Sequence, residues 1–241
     1  MNRSGHTDSL NWFFGDASQA SFPEQYSRMT AHPLGHYQPF GHILNSMGAR
    51  AGYILSQTHS TTGYQVDDSC AHQSSFIQQG DYLITHSPGI ALGVMTADCL
   101  PIIIHDPRNQ AVAVIHAGWR GAVGGIIGRA LDHMRREFNT VPGECRALLG
   151  PSAQVCCYQV GNDFLAPFSP DAINRYFKKN SRGLFFDLPS YVVEQLRSFG
   201  IAAQLIDRSH NDCTIHSLEY CSFRRDGLAA GRQITFAMIP D

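Results

Sequence analysis

Short apolar runs separated by turn-forming residues fill the middle of the chain. Four of them, at residues 82–85, 90–95, 102–104 and 111–115, follow closely on one another. Apolar runs of this length, bounded by Gly, Pro, Asp and Asn, are typical of buried strands. The pattern therefore predicts four neighbouring strands inside a hydrophobic core.

Two later stretches have apolar residues at spacings of three and four, which is the pattern of one helical face. The first covers residues 121–138 and directly follows the strand that ends near residue 116. The second begins after Asp187, which can cap a helix with Pro189 in its first turn, and ends at Gly200. The pattern predicts a helix in each stretch.

Weaker signals occur toward both ends of the chain. Residues 202–206 and 233–239 are predicted strands, and Phe13-Phe14 and residues 42–44 are the strand signals near the N-terminus. The close succession of strands, with few helices between them, differs from the strict alternation of a doubly wound parallel fold. We therefore expect an α+β fold, a single domain over residues 1–241 with mixed β-sheets flanked by helices.

Composition and charge exclude several classes of protein. Hydrophobic residues make up 43% of the chain and charged residues 16%, with a formal net charge of −2. Neither a disordered chain nor a nucleic-acid-binding protein is expected. No stretch approaches the roughly 18 uncharged apolar residues of a membrane span, and residues 1–15 lack the features of a signal peptide. Seven cysteines, an odd number, favour reduced thiols. These features predict a cytoplasmic protein with a small-molecule ligand.

Three polar residues near the predicted strands are candidate site residues. Cys99 lies in the polar segment 96–101 between two strands, and His116 ends a strand before a glycine-rich loop, where proteins commonly bind ligands. His59 lies in a polar stretch. Taken alone, Cys99 is more simply interpreted as a small buried apolar residue, and His59 as a surface-loop histidine. The gaps of 40 and 17 residues match no compact zinc motif, so spacing leaves these alternatives open.

Longer motifs occur in order along the chain: QTHS (57–60), GDYLIT (80–85), TADCLP (96–101), HAGWRG (116–121), GPS (150–152), CCYQVG (156–161), CT (213–214) and SFRRDG (222–227). Together they resemble the YfiH-like family, called polyphenol oxidase or multicopper laccase domain in older descriptions and purine nucleoside phosphorylase in newer ones. ADCLP and HAGWRG are signatures of that family. The resemblance covers roughly residues 53–239, while the N-terminal ~50 residues diverge because the family's Gly-Gly-Val-Ser and Asn-Leu-Gly segments are missing.

The resemblance implies a layered α/β/β/α arrangement and a zinc ion held by His59, Cys99 and His116. Two imidazoles and one thiolate leave a fourth zinc position for water or substrate, as in catalytic zinc sites. Copper is less favoured, because the chain has no His-x-His pair. The implied reactions are phosphorolysis of adenosine, inosine and methylthioadenosine to base and a ribose 1-phosphate, and deamination of adenosine to inosine.

Asp98 and three arginines are the catalytic candidates. Asp98 is expected either to move protons, or to orient a ligand histidine or accept hydrogen bonds from backbone amides. Arg120, at the predicted helix start, and Arg224 or Arg225 are expected to bind phosphate, although the last two could equally lie in a solvated turn. The expected partners are a purine nucleoside and phosphate, and the expected assembly is a monomer or small homo-oligomer.

Other functions stay open from the sequence. A cysteine hydrolase would use Cys99 as nucleophile and His116 as base, as in the cytotoxic-necrotizing-factor toxins that share the family's fold. A zinc amidase could edit peptidoglycan precursors with the same residues, and a non-catalytic binding protein is a third alternative. Against thiol catalysis, a metal-free thiol in apolar surroundings beside Asp98 is expected to have a raised pKa. Cys156 and Cys157 are expected to point to opposite faces of extended backbone as structural thiols.

Overall fold

The computed structural model describes residues 3–21, 40–72 and 78–241. Strands within these ranges are β1 (Arg3–Thr7), β2 (Leu10–Phe14), β3 (Ala51–Ile54), β4 (Gly63–Gln65), β5 (Tyr82–Thr85), β6 (Ile90–Thr96), β7 (Leu100–Asp106), β8 (Ala111–Ala117), β9 (Arg146–Leu149), β10 (Gln159–Val160), β11 (Phe177–Asn180), β12 (Gly183–Phe186), β13 (Ile206–Asp207) and β14 (Gln233–Met238). Helices are α1 (Phe40–Met47), α2 (Trp119–Val123), α3 (Ile126–Phe138), α4 (Pro170–Tyr176), α5 (Leu188–Ser198) and α6 (Phe223–Asp226). None of these helices is long and apolar enough to cross a membrane.

Two large sheets form the frame of the molecule. The five-stranded sheet has the order β1-β2-β14-β6-β3, and the six-stranded sheet has the order β13-β9-β7-β8-β5-β4. Both sheets are mixed: β6 pairs in parallel with β3 but antiparallel with β14, and β5 pairs in parallel with β4 but antiparallel with β8. A small antiparallel sheet, β10-β12-β11, stands apart from them. This architecture confirms the predicted α+β fold with mixed sheets.

Side-chain alternation along the strands explains the layers. In β8, Ala113 and Ile115 pack in the core beneath α3 and α5, whereas Val112 and Val114 lie in the core between the two large sheets. Successive strand residues point to opposite faces, so a wholly apolar strand must be covered on both sides. Helix α1 covers the outer face of the five-stranded sheet. The resulting α/β/β/α layers agree with the arrangement that the family resemblance implies.

Sheet register brings several chain segments to one edge of the six-stranded sheet. The start of β7 lies opposite the end of β8, so Cys99 comes to lie beside the segment that follows His116. The start of β5 also lies opposite the end of β8, and the carbonyl of Asp81 accepts a hydrogen bond from the backbone N–H of His116 at 2.7 Å. Because β4 runs parallel to β5, the loop before β4, with His59, reaches the same edge.

The predicted helix over residues 121–138 is interrupted. It consists of α2 and α3, which are separated at Gly124 and Gly125. Gly125 has a φ of 86°, a left-handed conformation that glycine adopts without the steric cost of a Cβ atom. The other predicted helix is confirmed as α5, and the carboxylate of its cap, Asp187, accepts a hydrogen bond from the Ser190 N–H at 3.0 Å.

Two of the weaker strand predictions are wrong. Residues 42–44 lie in α1, whose buried residues Phe40, Ile43 and Leu44 have helical spacing. Residues 202–206 form a 3₁₀ turn, Ala203–Leu205, that leads into the two-residue strand β13. In both places the apolar run was too short for its period to distinguish helix or turn from strand.

Candidate metal centre and adjoining cavity

Three side chains with metal-binding atoms converge at this edge of the sheet. The ligand atoms of His59, Cys99 and His116 all lie within 4.8 Å of one another, and Cys99 Sγ is 3.7 Å from His59 Nε2. Imidazole nitrogen and thiolate sulfur are donors that zinc prefers, at about 2.0–2.3 Å from the ion. The chemistry and the spacing of the three atoms fit one metal ion.

Asp81 fixes the ring of His116. The Asp81 side chain is fully buried, and its Oδ1 lies 2.8 Å from His116 Nδ1. Burial alone would raise the pKa of Asp81, but hydrogen bonds from His116 and Ser60 outweigh it and lower the pKa to about 2. An ionised carboxylate only accepts hydrogen bonds, so Nδ1 carries the proton and donates it. Nε2 of His116 is then the nitrogen left to bind metal.

Asp81 also holds the loop that carries His59. Its carboxylate accepts hydrogen bonds from the backbone N–H groups of His59 at 2.9 Å and Ser60 at 2.6 Å, and from the Ser60 hydroxyl at 2.7 Å. His59 has a φ of 60°, which is uncommon for a residue other than glycine. Such a conformation persists where surrounding contacts enforce it, often at functional sites. One buried carboxylate thus positions both histidines.

Cys99 and His116 shift each other's pKa in opposite directions. Burial alone would raise the pKa of Cys99, but the charge and hydrogen bond of His116, with a further contribution from His59, lower it to about 6. Burial alone would lower the pKa of His116, but Cys99 and Asp81 raise it to about 9. The expectation of a raised Cys99 pKa is therefore wrong, because imidazoles distant in sequence contact the thiol. A thiolate near neutral pH can act as a ligand or as a nucleophile.

Gly118 provides the space in which the ligands meet. A Cβ atom at this position would lie 2.8 Å from Cδ2 of His59 and 3.0 Å from Sγ of Cys99. Any larger residue would therefore displace two of the three candidate ligands, His59 and Cys99. This close approach explains a glycine two residues after His116.

A cavity of about 700 Å³ opens beside the three ligands. Its size and its mixture of apolar and polar groups are typical of a small-molecule site. Its apolar part includes the aromatic rings of Trp119, Tyr158 and Phe223, and its polar part includes Gln57 and Asp98. Aromatic rings offer flat apolar faces on which a planar heterocycle can stack.

Asp98 lines this cavity, but its carboxylate is already engaged. Oδ1 accepts a hydrogen bond from the Thr214 hydroxyl at 2.7 Å, and Oδ2 accepts one from the backbone N–H of Arg224 at 2.6 Å. The residue occupies the β6–β7 turn with a φ of 86°. Its bonds tie the turn that carries Cys99 to the segment that carries Arg224. Neither bond reaches His59 or His116, so of the predicted roles these bonds favour acceptance of a backbone amide over proton transfer and over orientation of a histidine.

Two of the three candidate arginines line the cavity. The Arg120 guanidinium lies 4.5 Å from the centroid of the Trp119 ring, and in the part of the chain that the structure describes it forms no ion pair. The Arg224 guanidinium lies 5.4 Å from the centroid of the Tyr158 ring, and its Nη1 donates to the carbonyl of Gln159. Both guanidinium groups keep N–H donors available for an anion.

Arg225 is placed differently. Its guanidinium donates to three backbone carbonyls between residues 214 and 220 at 2.8–3.0 Å and pairs with Asp226 at 2.8 Å. It does not line the cavity. The structure therefore brings Arg224, and not Arg225, together with Arg120 and the three candidate metal-binding residues.

Sequence reasoning missed Asp81, Tyr158 and Phe223 as site residues. A signal for Asp81 was present, because a carboxylate directly before the apolar run 82–85 must find hydrogen-bond donors if it is buried. Tyr158 and Phe223 gave no comparable signal. They reach the cavity from segments whose placement depends on the whole fold.

A second group of thiols lies outside this cavity. The Sγ atoms of Cys156, Cys157 and Cys213 lie within 4.8 Å of one another. The expectation that Cys156 and Cys157 point to opposite faces of extended backbone is wrong. The N–H groups of Cys157 and Tyr158 both donate to the carbonyl of Gln154, at 2.9 and 2.8 Å, and so close a turn.

A protein-family model described as multi-copper polyphenol oxidoreductase laccase matches residues 40–240. The chain belongs to this family. The match confirms the resemblance that the motifs between residues 57 and 227 carry. The family's description names copper, whereas the three converging residues offer two nitrogens and one sulfur for a single ion.

Individual relatives agree with this membership. A purine nucleoside phosphorylase of Bacteroides thetaiotaomicron is 32% identical over 195 residues, 77% of this chain and 72% of the relative. Adenosine deaminase RL5, from an unknown prokaryotic organism, is 32% identical over 189 residues, 74% of this chain and 71% of that protein. The crystal structure of YfiH from Bacillus licheniformis superposes with a TM-score of 0.75 at 24% identity, over 95% of this chain and 92% of that one. The last comparison shows a shared fold.

Proposed function

We propose that the protein is a zinc-dependent purine nucleoside enzyme. It cleaves adenosine, inosine and methylthioadenosine with phosphate, and it deaminates adenosine to inosine. The observation that carries the proposal is the convergence of His59, Cys99 and His116 beside a cavity of about 700 Å³ that contains both aromatic rings and arginines. The names of the two relatives support this pair of activities.

The donor set favours zinc among the common metals. Two imidazoles and a thiolate suit a catalytic zinc ion that keeps an open position. When bound, zinc supplies Lewis acidity and makes a hydroxide source available near neutral pH. The contribution of the chain is to fix the ligands: Asp81 sets the tautomer of His116 and the loop conformation of His59.

Phosphorolysis requires a phosphate oxygen to form a bond to C1′ of the ribose while the bond between C1′ and the purine nitrogen breaks. The bonding electrons leave with the base, which takes up a proton. Arg120 and Arg224 bind the phosphate, since both line the cavity with donors available. Burial raises the pKa of Tyr158, so its hydroxyl stays protonated and can donate a hydrogen bond to the base.

Deamination uses the same cavity without phosphate. The oxygen of water adds to C6 of adenosine, ammonia leaves, and inosine is formed. The purine must then lie with C6, rather than C1′, toward the metal-binding residues. Trp119 and Phe223 provide apolar faces for the ring in either orientation.

A panel of nucleosides, incubated with zinc-loaded protein with and without phosphate, tests the proposal. With phosphate, we expect chromatography to show free base and a ribose 1-phosphate from adenosine, inosine and methylthioadenosine. Without phosphate, we expect adenosine to yield inosine alone. If the zinc-loaded protein converts none of these nucleosides, the proposal is contradicted.

Replacing Arg120 with alanine is expected to raise the KM for phosphate by roughly 10- to 100-fold, the cost of a lost hydrogen bond to a charged group. Bound zinc should stay unchanged, and deamination, which consumes no phosphate, should fall less. Steady-state kinetics at varied phosphate measures the effect. Arg136→Ala is the control, because Arg136 is an exposed residue of α3 that does not line the cavity. An unchanged phosphate KM in Arg120→Ala would remove this residue from the phosphate site.

A cysteine hydrolase is the second candidate function, and the contact of Cys99 with an imidazole favours it: Cys99 Sγ lies 3.7 Å from His59 Nε2. His116 and His59 lower the pKa of Cys99 to about 6, which makes the metal-free thiol a nucleophile near neutral pH. A zinc amidase acting on peptidoglycan precursors would instead use the metal-bound form of the same residues. The two alternatives differ in whether zinc is needed.

A further inference from the structure

The thiol cluster, defined as Cys156, Cys157 and Cys213, is separate from the cavity that we assign to the nucleoside. None of its members lines that cavity. Cys156 is exposed, and Cys157 and Cys213 are half-buried, so the cluster is accessible to ions from solution. We propose that it is a second metal site, which binds a thiophilic ion such as zinc through three cysteine sulfurs.

The backbone brings the three sulfurs together before any ion binds. The turn closed on the carbonyl of Gln154 lets the two adjacent cysteines face the same partner. Cys213 is held opposite Ser152 in an isolated parallel bridge, with hydrogen bonds of 3.0 Å on both sides of it. The side-chain amide of Gln154 also donates to the carbonyl and side-chain oxygens of Asn211, at 3.0 and 2.9 Å. Both segments are thus fixed relative to each other by bonds that do not involve sulfur.

The arrangement suits a metal better than a disulfide. A tetrahedral ion with bonds of about 2.3 Å to sulfur holds its sulfur ligands about 3.8 Å apart. Sulfur atoms within 4.8 Å reach that spacing through small side-chain rotations. A disulfide would join two of the sulfurs and leave the third without a partner. Three thiolates with an open fourth position select soft or borderline ions, zinc and copper(I) above all.

The site joins two segments that also shape the cavity. Cys157 directly precedes Tyr158, whose ring lines the cavity, and Cys213 directly precedes Thr214, whose hydroxyl donates to Asp98. An ion bound to both cysteines would therefore clamp these two segments. Ions that bind the folded chain preferentially also stabilise it.

Cadmium is a suitable probe, because its bonds to thiolate absorb in the ultraviolet and it replaces zinc in sulfur-rich sites. The full-length Cys99→Ala variant, which lacks the only thiol of the candidate nucleoside site, is reduced, freed of metal and titrated with Cd²⁺ alone. We expect about one cadmium per chain with sulfur-rich coordination by X-ray absorption, and a rise in Tm. Adding Cys213→Ser should lower cadmium affinity at least about 10-fold and reduce the thiolate absorption per bound cadmium, because two of the three thiolates remain.

Two further variants keep this test decisive. Cys156 is exposed, so Cys156→Ser should fold even if Cys213→Ser does not. It should lower cadmium affinity as Cys213→Ser does. Cys70→Ser is the matched control, because Cys70 is a half-buried thiol outside the thiol cluster and away from His59 and His116, and it should leave cadmium binding unchanged. Equal cadmium affinity with and without Cys156 overturns the proposal. A disulfide within the cluster of the freshly isolated protein, found by mass spectrometry without reductant, overturns it as well.

Discussion

The Cys99→Ala variant is expected to contain one zinc ion fewer per chain than the wild type and to lose at least about 100-fold in both phosphorolysis and deamination. The reason is that Cys99 supplies the only sulfur among the three ligand atoms that converge beside the cavity. Elemental analysis and product chromatography on the same preparations measure the two losses. Cys70→Ala is the control, since Cys70 belongs neither to the thiol cluster nor to the group of His59, Cys99 and His116.

This variant alone does not distinguish a ligand from a nucleophile, but metal removal from the wild type does. We expect a chelator to abolish turnover and added zinc to restore it. In the metal-free protein, the pKa of Cys99 near 6 should make it react quickly with iodoacetamide at neutral pH, and zinc should protect it. Full activity without metal, lost when Cys99 is labelled, would instead assign the chemistry to a cysteine hydrolase.

The elements of this fold that could be predicted are those whose signal is local. Each central strand is a short apolar run because it is covered on both faces, and α5 has its own cap in Asp187. The break between α2 and α3 depends on the left-handed backbone conformation of Gly125, which the spacing of apolar residues does not indicate. The strand prediction for residues 42–44 was wrong for a different reason: a segment of three residues with two apolar side chains fits a helix as well as a strand.

The candidate metal ligands were predicted from family motifs and not from their spacing. His59, Cys99 and His116 meet because of the pairing order of β4, β5, β8 and β7, which no local pattern encodes. Strand pairing also explains why the expectation of a raised pKa for Cys99 was wrong. Its neighbours in sequence are apolar residues and Asp98, whereas the groups that set its charge come from two other segments. The motifs therefore predicted which three residues converge, but the sequence did not predict the pKa values of these residues.

Replacing Asp81 with asparagine is expected to lower zinc affinity by about 10- to 100-fold, although Asp81 does not itself line the cavity. An amide group has only one acceptor oxygen, so it cannot satisfy His116, the His59 N–H and the Ser60 donors together. Both histidines should lose their fixed orientation. The free energy of unfolding of the metal-free protein should also fall, by about 3 kcal/mol, because buried donors lose a charged partner.

The effect on stability should depend on pH in a defined direction. The pKa of Asp81 is lowered from 3.8 to about 2, so its contribution is complete above about pH 4 and is lost as the pH falls toward 2. That shift corresponds to about 2 kcal/mol. Denaturant unfolding of metal-free wild type and Asp81→Asn between pH 2 and 7 should therefore show curves that converge at the acid end.

Asp106→Asn separates positioning of the ligands from a general loss of stability. Asp106 is also fully buried, and its carboxylate accepts backbone hydrogen bonds from Arg108 and Asn109 in the β7–β8 turn. Its replacement should destabilise the chain but leave zinc affinity unchanged, because neither histidine depends on it. Competition with a chromophoric chelator measures both affinities. Equal zinc affinity in Asp81→Asn and Asp106→Asn would show that Asp81 supports the fold without positioning the metal ligands.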